Sequence, residues 1–166
     1  MAIVKLNEGY GYGQVELNKV AFRRTGRIEA QCALAIDEAE NGMILAIDPV
    51  NHTVGLPTST ELIALNYTAE HMYDAKDRGL KDFVLKRGEF YPRLGYLEKG
   101  DIFTTNTVVY DNASSYAPKA GDYATVDATT GYIKVVGSTS TNAILKVVEI
   151  TTMPDGAPAI KFIAIK

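Results

Sequence analysis

Residues 42–65, GMILAIDPVNHTVGLPTSTELIAL, align without a gap on residues 121–144, GDYATVDATTGYIKVVGSTSTNAI, at an offset of 79. Five of the 24 positions are identical: Gly42/Gly121, Asp48/Asp127, Ser59/Ser138, Thr60/Thr139 and Ala64/Ala143. Ile47/Val126, Val54/Ile133, Leu56/Val135 and Leu65/Ile144 are similar. The matches fall where a strand–turn–strand–turn–strand unit needs them. Glycine opens the unit, aspartate closes the first strand into a turn, aliphatic residues alternate, and a Ser-Thr pair marks the second bend. The second copy continues as ILKVVEI (Ile144–Ile150), too rich in β-branched side chains for a helix. Residues 61–69, whose apolar positions suit either a helical stripe or a strand, are therefore read as a strand by equivalence.

Outward from the repeat, the same signals recur. Ile28, Ala30, Cys32, Leu34 and Ile36 alternate with Glu29, Gln31, Ala33, Ala35 and Asp37, which predicts a half-buried strand with Cys32 facing inward as a small hydrophobe. Phe83–Leu85 and Leu94–Leu97 are short apolar groups. Lys99-Gly100-Asp101 introduces a strand from Ile102 to Val109, and Gly121-Asp122 repeats that opening. Pro154-Asp155-Gly156 is a hairpin turn before Ala159–Ile165. Turn signals at intervals of roughly 8–12 residues predict an all-β chain, an antiparallel sandwich or barrel. Residues 1–27, with GYGYG at 9–13, read as an extended N-terminal arm that orders on a partner. Residues 28–166 read as one β-rich domain, with two fused halves, about 28–98 and 99–166, as the alternative.

The 166 residues carry a net charge of −3 that is unevenly spread. Residues 1–27 carry +3, residues 28–75 hold eight acids and no Lys or Arg, residues 76–99 carry +3, and the rest is close to neutral. Such segregation steers unlike surfaces together, and the acidic stretch is expected to meet the basic stretch of a neighbouring copy. Direct nucleic-acid binding is not expected: the balance is acidic, and the one tight basic group, Arg23-Arg24-Thr25-Gly26-Arg27, has no aromatic stacking motif beside it. No stretch approaches the roughly 20 apolar residues of a membrane helix, and no signal-peptide core opens the chain, so neither membrane nor secretion is expected.

The catalytic inventory is thin. His52 and His71 lie 19 residues apart, without metal-site spacing, and His71 with Asp74 is the only candidate base or ligand pair. No serine sits in a Gly-x-Ser-x-Gly elbow. Asp37, Glu38 and Glu40 read as a solvated acidic loop rather than a cation site, and one cysteine supports neither a disulfide nor a cysteine-based zinc site. The chain is expected to be no enzyme, with no cofactor and no metal. Ten tyrosines with many Thr, Ser and Asn suit recognition surfaces instead.

The runs KGDIFTTNTVVYD (Lys99–Asp111), AGDYATVDATTGYIKV (Ala120–Val135) and TTMPDGAPAIKFIAI (Thr151–Ile165) together resemble the auxiliary capsid proteins of tailed bacteriophages, also called decoration or cement proteins. The resemblance covers roughly the C-terminal half and carries no catalytic residues. It implies a virion component that binds the major capsid protein in several copies, together with copies of itself, and reinforces subunit junctions. In that setting Tyr10, Tyr12, Arg23, Arg24 and Arg27 of the arm are the expected partner contacts. A tail or baseplate component, or a carbohydrate-binding adhesion sandwich, is the alternative; the absence of tryptophan weighs against sugar stacking.

Overall fold

The structure is a computed structural model that describes residues 2–57, 62–69, 79–138 and 141–166. In chain order the strands are β1 (Ile3–Lys5), β2 (Val15–Lys19), β3 (Ile28–Glu29), β4 (Ala33–Leu34), β5 (Glu38–Ala39), β6 (Ile44–Asp48), β7 (Thr53–Gly55) and β8 (Leu62–Asn66). There follow β9 (Leu85–Lys86), β10 (Leu94–Gly95), β11 (Ile102–Thr105), β12 (Val108–Asp111), β13 (Tyr123–Val126), β14 (Ile133–Gly137), β15 (Leu145–Thr152) and β16 (Pro158–Ala164). One helical turn, α1 (Phe22–Thr25), follows β2. The chain is all-β, as its alternation and turn spacing require.

The strands form two principal sheets of the same plan. One runs β3-β10-β8-β6-β7-β4, and the core of the other runs β11-β16-β15-β13-β14-β12. Every pairing in the first has its counterpart in the second, all antiparallel except the last, where β4–β7 and β12–β14 are both parallel. Registers agree as well: Ala46 opposite Gly55 and Ile47 opposite Val54 become Thr125 opposite Lys134 and Val126 opposite Ile133. Residues 28–95 and 102–164 are thus two copies of one six-stranded unit. The gapless match holds through the β6–β7 hairpin and slips by two at the next strand. Ala64 faces Leu45 while Leu145 faces Ala124, so Ala64 stands in the place of Leu145, not of Ala143. A shift of two preserves which face is buried. The expected second bend, at Ser59-Thr60 and at Thr139, lies outside the described residues.

The turns repeat in detail. Gly42 and Gly121 both have positive φ, 89° and 94°. After Gly121, Asp122 closes its turn by accepting the Lys119 N–H at 3.0 Å. After Gly42, the Met43 sulfur accepts the Glu40 N–H at the same distance. The opening at Gly100 uses Asp101, which accepts the Glu98 N–H at 2.8 Å.

Two long strands of the sequence reading are each broken. Residues 28–36 give β3 and β4 at opposite edges of their sheet, because the Gln31 N–H turns back to the Glu29 carboxylate at 2.6 Å. Residues 102–111 split likewise into β11 and β12 around the buried Asn106 and Thr107. Cys32 is buried within the first unit's core.

The arm is extended, but it orders on the chain's own body rather than on a partner. β1 adds to β12 and β2 to β11, so consecutive strands occupy the two edges of an eight-stranded sheet and the sheet curls to bring those edges within reach of residues 6–14. Phe22 is wholly buried against Gly95, and Asp101 accepts the Ala21 N–H at 2.8 Å. The acidic and basic stretches also meet within one chain: Glu38 faces Lys86 across β5–β9, and Asp37 pairs with Arg87 at 3.0 Å. Those charges are engaged without a neighbouring copy.

Candidate functional site

Of the five arm residues expected to contact a partner, all but Tyr12 are exposed. Tyr10 is exposed and Tyr12 half-buried, its N–H held by the Lys81 carbonyl at 2.7 Å. Arg24 is exposed. Arg27 pairs with Glu98 at 3.5 Å and lies 5.9 Å from the centre of the Tyr96 ring. Arg23 lines a concavity.

That concavity, about 460 Å³, lies between the edge strand β2 and the chain on either side of the β8–β10 pair. Val15 and Leu17 of β2 form its apolar side; Arg23, Tyr67, Thr68 and Arg93 form the polar one. The wall is built by backbone bonds, since Tyr67 N–H donates to the Arg93 carbonyl and Arg93 N–H to Thr68 Oγ1, both at 3.0 Å. The Tyr67 ring leans on Phe22 at 5.1 Å, which ties the cleft to the arm. Burial pushes the Tyr67 phenol up in pKa, while the Arg93 and Arg23 guanidiniums pull it back. Both cations therefore act on one phenol oxygen. Among the described residues neither arginine is in an ion pair, and no carboxylate lines the cleft. Arg93 and Tyr67 escaped the sequence reading because only sheet pairing joins residues 23, 67 and 93.

The acidic loop separates into individual roles. Glu40 is a joint: its carboxylate accepts the Gly13 N–H at 2.6 Å, Asn7 Nδ2 at 3.1 Å and the Tyr132 hydroxyl at 2.5 Å. Arm, first unit and second unit meet on that one group. Among the described residues no three His, Cys, Asp or Glu side chains converge as a metal site would require. His52 is exposed in its turn, and His71 and Asp74 lie outside the described residues.

No protein-family model, curated protein or solved structure matches this chain.

The two units differ most in one connection. Between β15 and β16 lie five residues, 153–157, closed by the Gly156 N–H to Met153 carbonyl bond. Between β8 and β10 lie 27, residues 67–93. Within the described part, Phe83 and Leu85 turn inward to the first unit's core, while Leu80, Phe90 and Tyr91 are exposed, as are Lys81, Asp82, Lys86, Arg87 and Glu89. Two equal frames thus carry unequal surfaces.

Proposed function

We propose that the protein is a non-enzymatic structural component of a virus particle, of the decoration or cement type, that binds the outer surface of a lattice of major capsid protein and reinforces its subunit junctions. The observation that carries this reading is the long 67–93 connection, which adds exposed Leu80, Phe90 and Tyr91, together with charged side chains of both signs, to one of two otherwise equivalent units. A duplicated β framework supplies rigidity, and a graft on one copy supplies a contact face without disturbing the other. Apolar side chains ringed by charge are what a protein-binding surface presents. The resemblance of the C-terminal half to phage auxiliary capsid proteins points to the same role.

The mechanism is mechanical. A shell under pressure from packed, like-charged DNA fails at contacts between capsomers. A small rigid protein bridging those contacts adds buried area at each junction, and repetition over the lattice multiplies a modest local gain. No cofactor, membrane or direct nucleic-acid contact enters. The test is thermal rupture and DNA release from particles with and without the protein. A higher rupture temperature is expected with the protein bound, and equal temperatures at saturating occupancy would reject the cementing role.

A further inference from the structure

We propose that the cleft between β2 and the β8–β10 wall is a seat for an extended, carboxylate-bearing segment of the partner protein, laid along the free edge of β2 with an acidic side chain between Arg23 and Arg93. It rests on the proposed function for the identity of the partner, and it adds where and by what chemistry that partner is held.

The internal duplication supplies the argument. By strand register, Arg93 in the first unit stands where Lys161 stands in the second. Lys161 has its own carboxylate: Glu149, opposite on β15, lies 2.9 Å from its ammonium. In the first unit the residues facing Arg93 across the same pair of strands are Tyr67 and Thr68, and the Thr68 hydroxyl is already taken up by Asn66 and the Arg93 N–H. The cation is kept, and among the described residues no carboxylate stands in the place of Glu149. Arg23 then adds a second positive charge from the arm. Two guanidiniums beside a partly dehydrated wall make a site for a carboxylate, which they hold in charge-assisted bonds stronger than neutral ones.

The backbone favours an extended peptide over a small free anion. β2 pairs with β11 on one side only, and no described strand pairs with its other edge. Among the described residues its outward N–H and C=O groups are left for a further strand, the mode by which sheets add peptides. Val15 and Leu17, two residues apart on β2, point to the same side and line the cleft. A strand placed there would set alternate side chains beside Val15 and Leu17 on the face that lines the cleft, and an acidic side chain on that same face would meet the arginines.

The test uses the full-length protein and two blocked peptides, acetyl-Ile-Thr-Glu-Thr-Val-amide, whose Ile, Glu and Val share one face, and the same peptide with Gln for Glu, followed by NMR. The Glu peptide is expected to shift the Arg23 and Arg93 Nε–H signals and the Val15–Lys19 amides. Arg23→Gln and Arg93→Gln together should weaken it by about tenfold or more, and Arg93→Lys should recover part of the loss. A thermal melt of each variant confirms that it is folded. Equal response to the Gln peptide, shifts unchanged in the folded double variant, or response to inorganic phosphate alone would each overturn the assignment. Particle binding separates the two ideas. Wild-type protein that fails to bind particles sinks the proposed function whatever the peptide does. A double variant that binds particles normally sinks the cleft and leaves the function standing.

Discussion

His52 and Gly131 occupy the same point in the two copies of the hairpin, and both have positive φ, 53° and 73°. The turn ahead of each is closed by an aspartate: Asp48 accepts the Val50 and Asn51 N–H groups, and Asp127 the Thr129 N–H. For Asp48 the Asn51 bonds hold the carboxyl below its usual range; for Asp127 burial pulls upward, but the Thr129 and Thr130 bonds win. Left-handed backbone is free to glycine and costs other residues roughly 1–2 kcal/mol, so His52 is strained where Gly131 is not. His52→Gly should stabilise the protein by ~0.5–1 kcal/mol after the larger unfolded-state entropy of glycine is counted, read as a melting temperature higher by roughly 1–4 °C. Gly131→Ala should do the reverse. Its methyl would sit 3.0 Å from Met43 Cε and 3.1 Å from the Ile44 carbonyl, at unfavourable φ, for a loss of about 1–3 kcal/mol. A lower melting temperature for His52→Gly would contradict the equivalence of the two turns.

At the scale of elements, the sequence was most legible where turn chemistry constrains it. The β6–β7 and β13–β14 hairpins share their Gly and Asp signals and match at one offset, so alignment finds them. The other strands are equally duplicated yet invisible, because insertions between strands change the offset from unit to unit, and a strand position asks only for inward or outward character. β3 and β4 merged into one apparent strand because alternation continues through the Gln31-Cys32 bend. The joint at Glu40 left no trace in spacing, since Asn7, Gly13, Glu40 and Tyr132 come from three distant segments. It does leave a pH signature. Burial, and then the adjoining Glu40 carboxylate, hold the Tyr132 phenol above the ordinary tyrosine range, so the folded chain keeps this proton where the unfolded chain releases it. The contribution is whole below the unfolded pKa of about 10; above it, stability should fall by up to ~1.4 kcal/mol per pH unit from this group until the folded pKa is reached. Tyr132→Phe should flatten that alkaline slope in urea titrations from pH ~9 to ~11. A slope unchanged by the substitution would mean that the phenol is not held as described.

For the molecule as a whole, the arm decides whether the two units are independent. β1 and β2 belong in sequence to the chain before the first unit, yet they complete the sheet of the second. Phe22 then fills a socket against Gly95 of the first unit, while Asp101, at the start of the second, holds the Ala21 N–H. Gly13 lies so close to Asn41 and Thr107 that a methyl group there would collide with both. One stretch of chain is therefore wedged between the units and strapped across the curled sheet. Deleting residues 1–27 exposes the socket of Phe22, whose loss alone is of the order of 3–5 kcal/mol for a buried phenylalanine, and uncovers both edges of the second sheet. The sum rivals the ~5–15 kcal/mol by which domains are stable. The truncated chain should consequently lack a cooperative melt and bind a hydrophobic dye, and Phe22→Ala in the full chain should lower the melting temperature of both units together. A truncated protein that melts cooperatively within a few degrees of the intact one would show instead that the arm is a separable tether, and that the units stand without it.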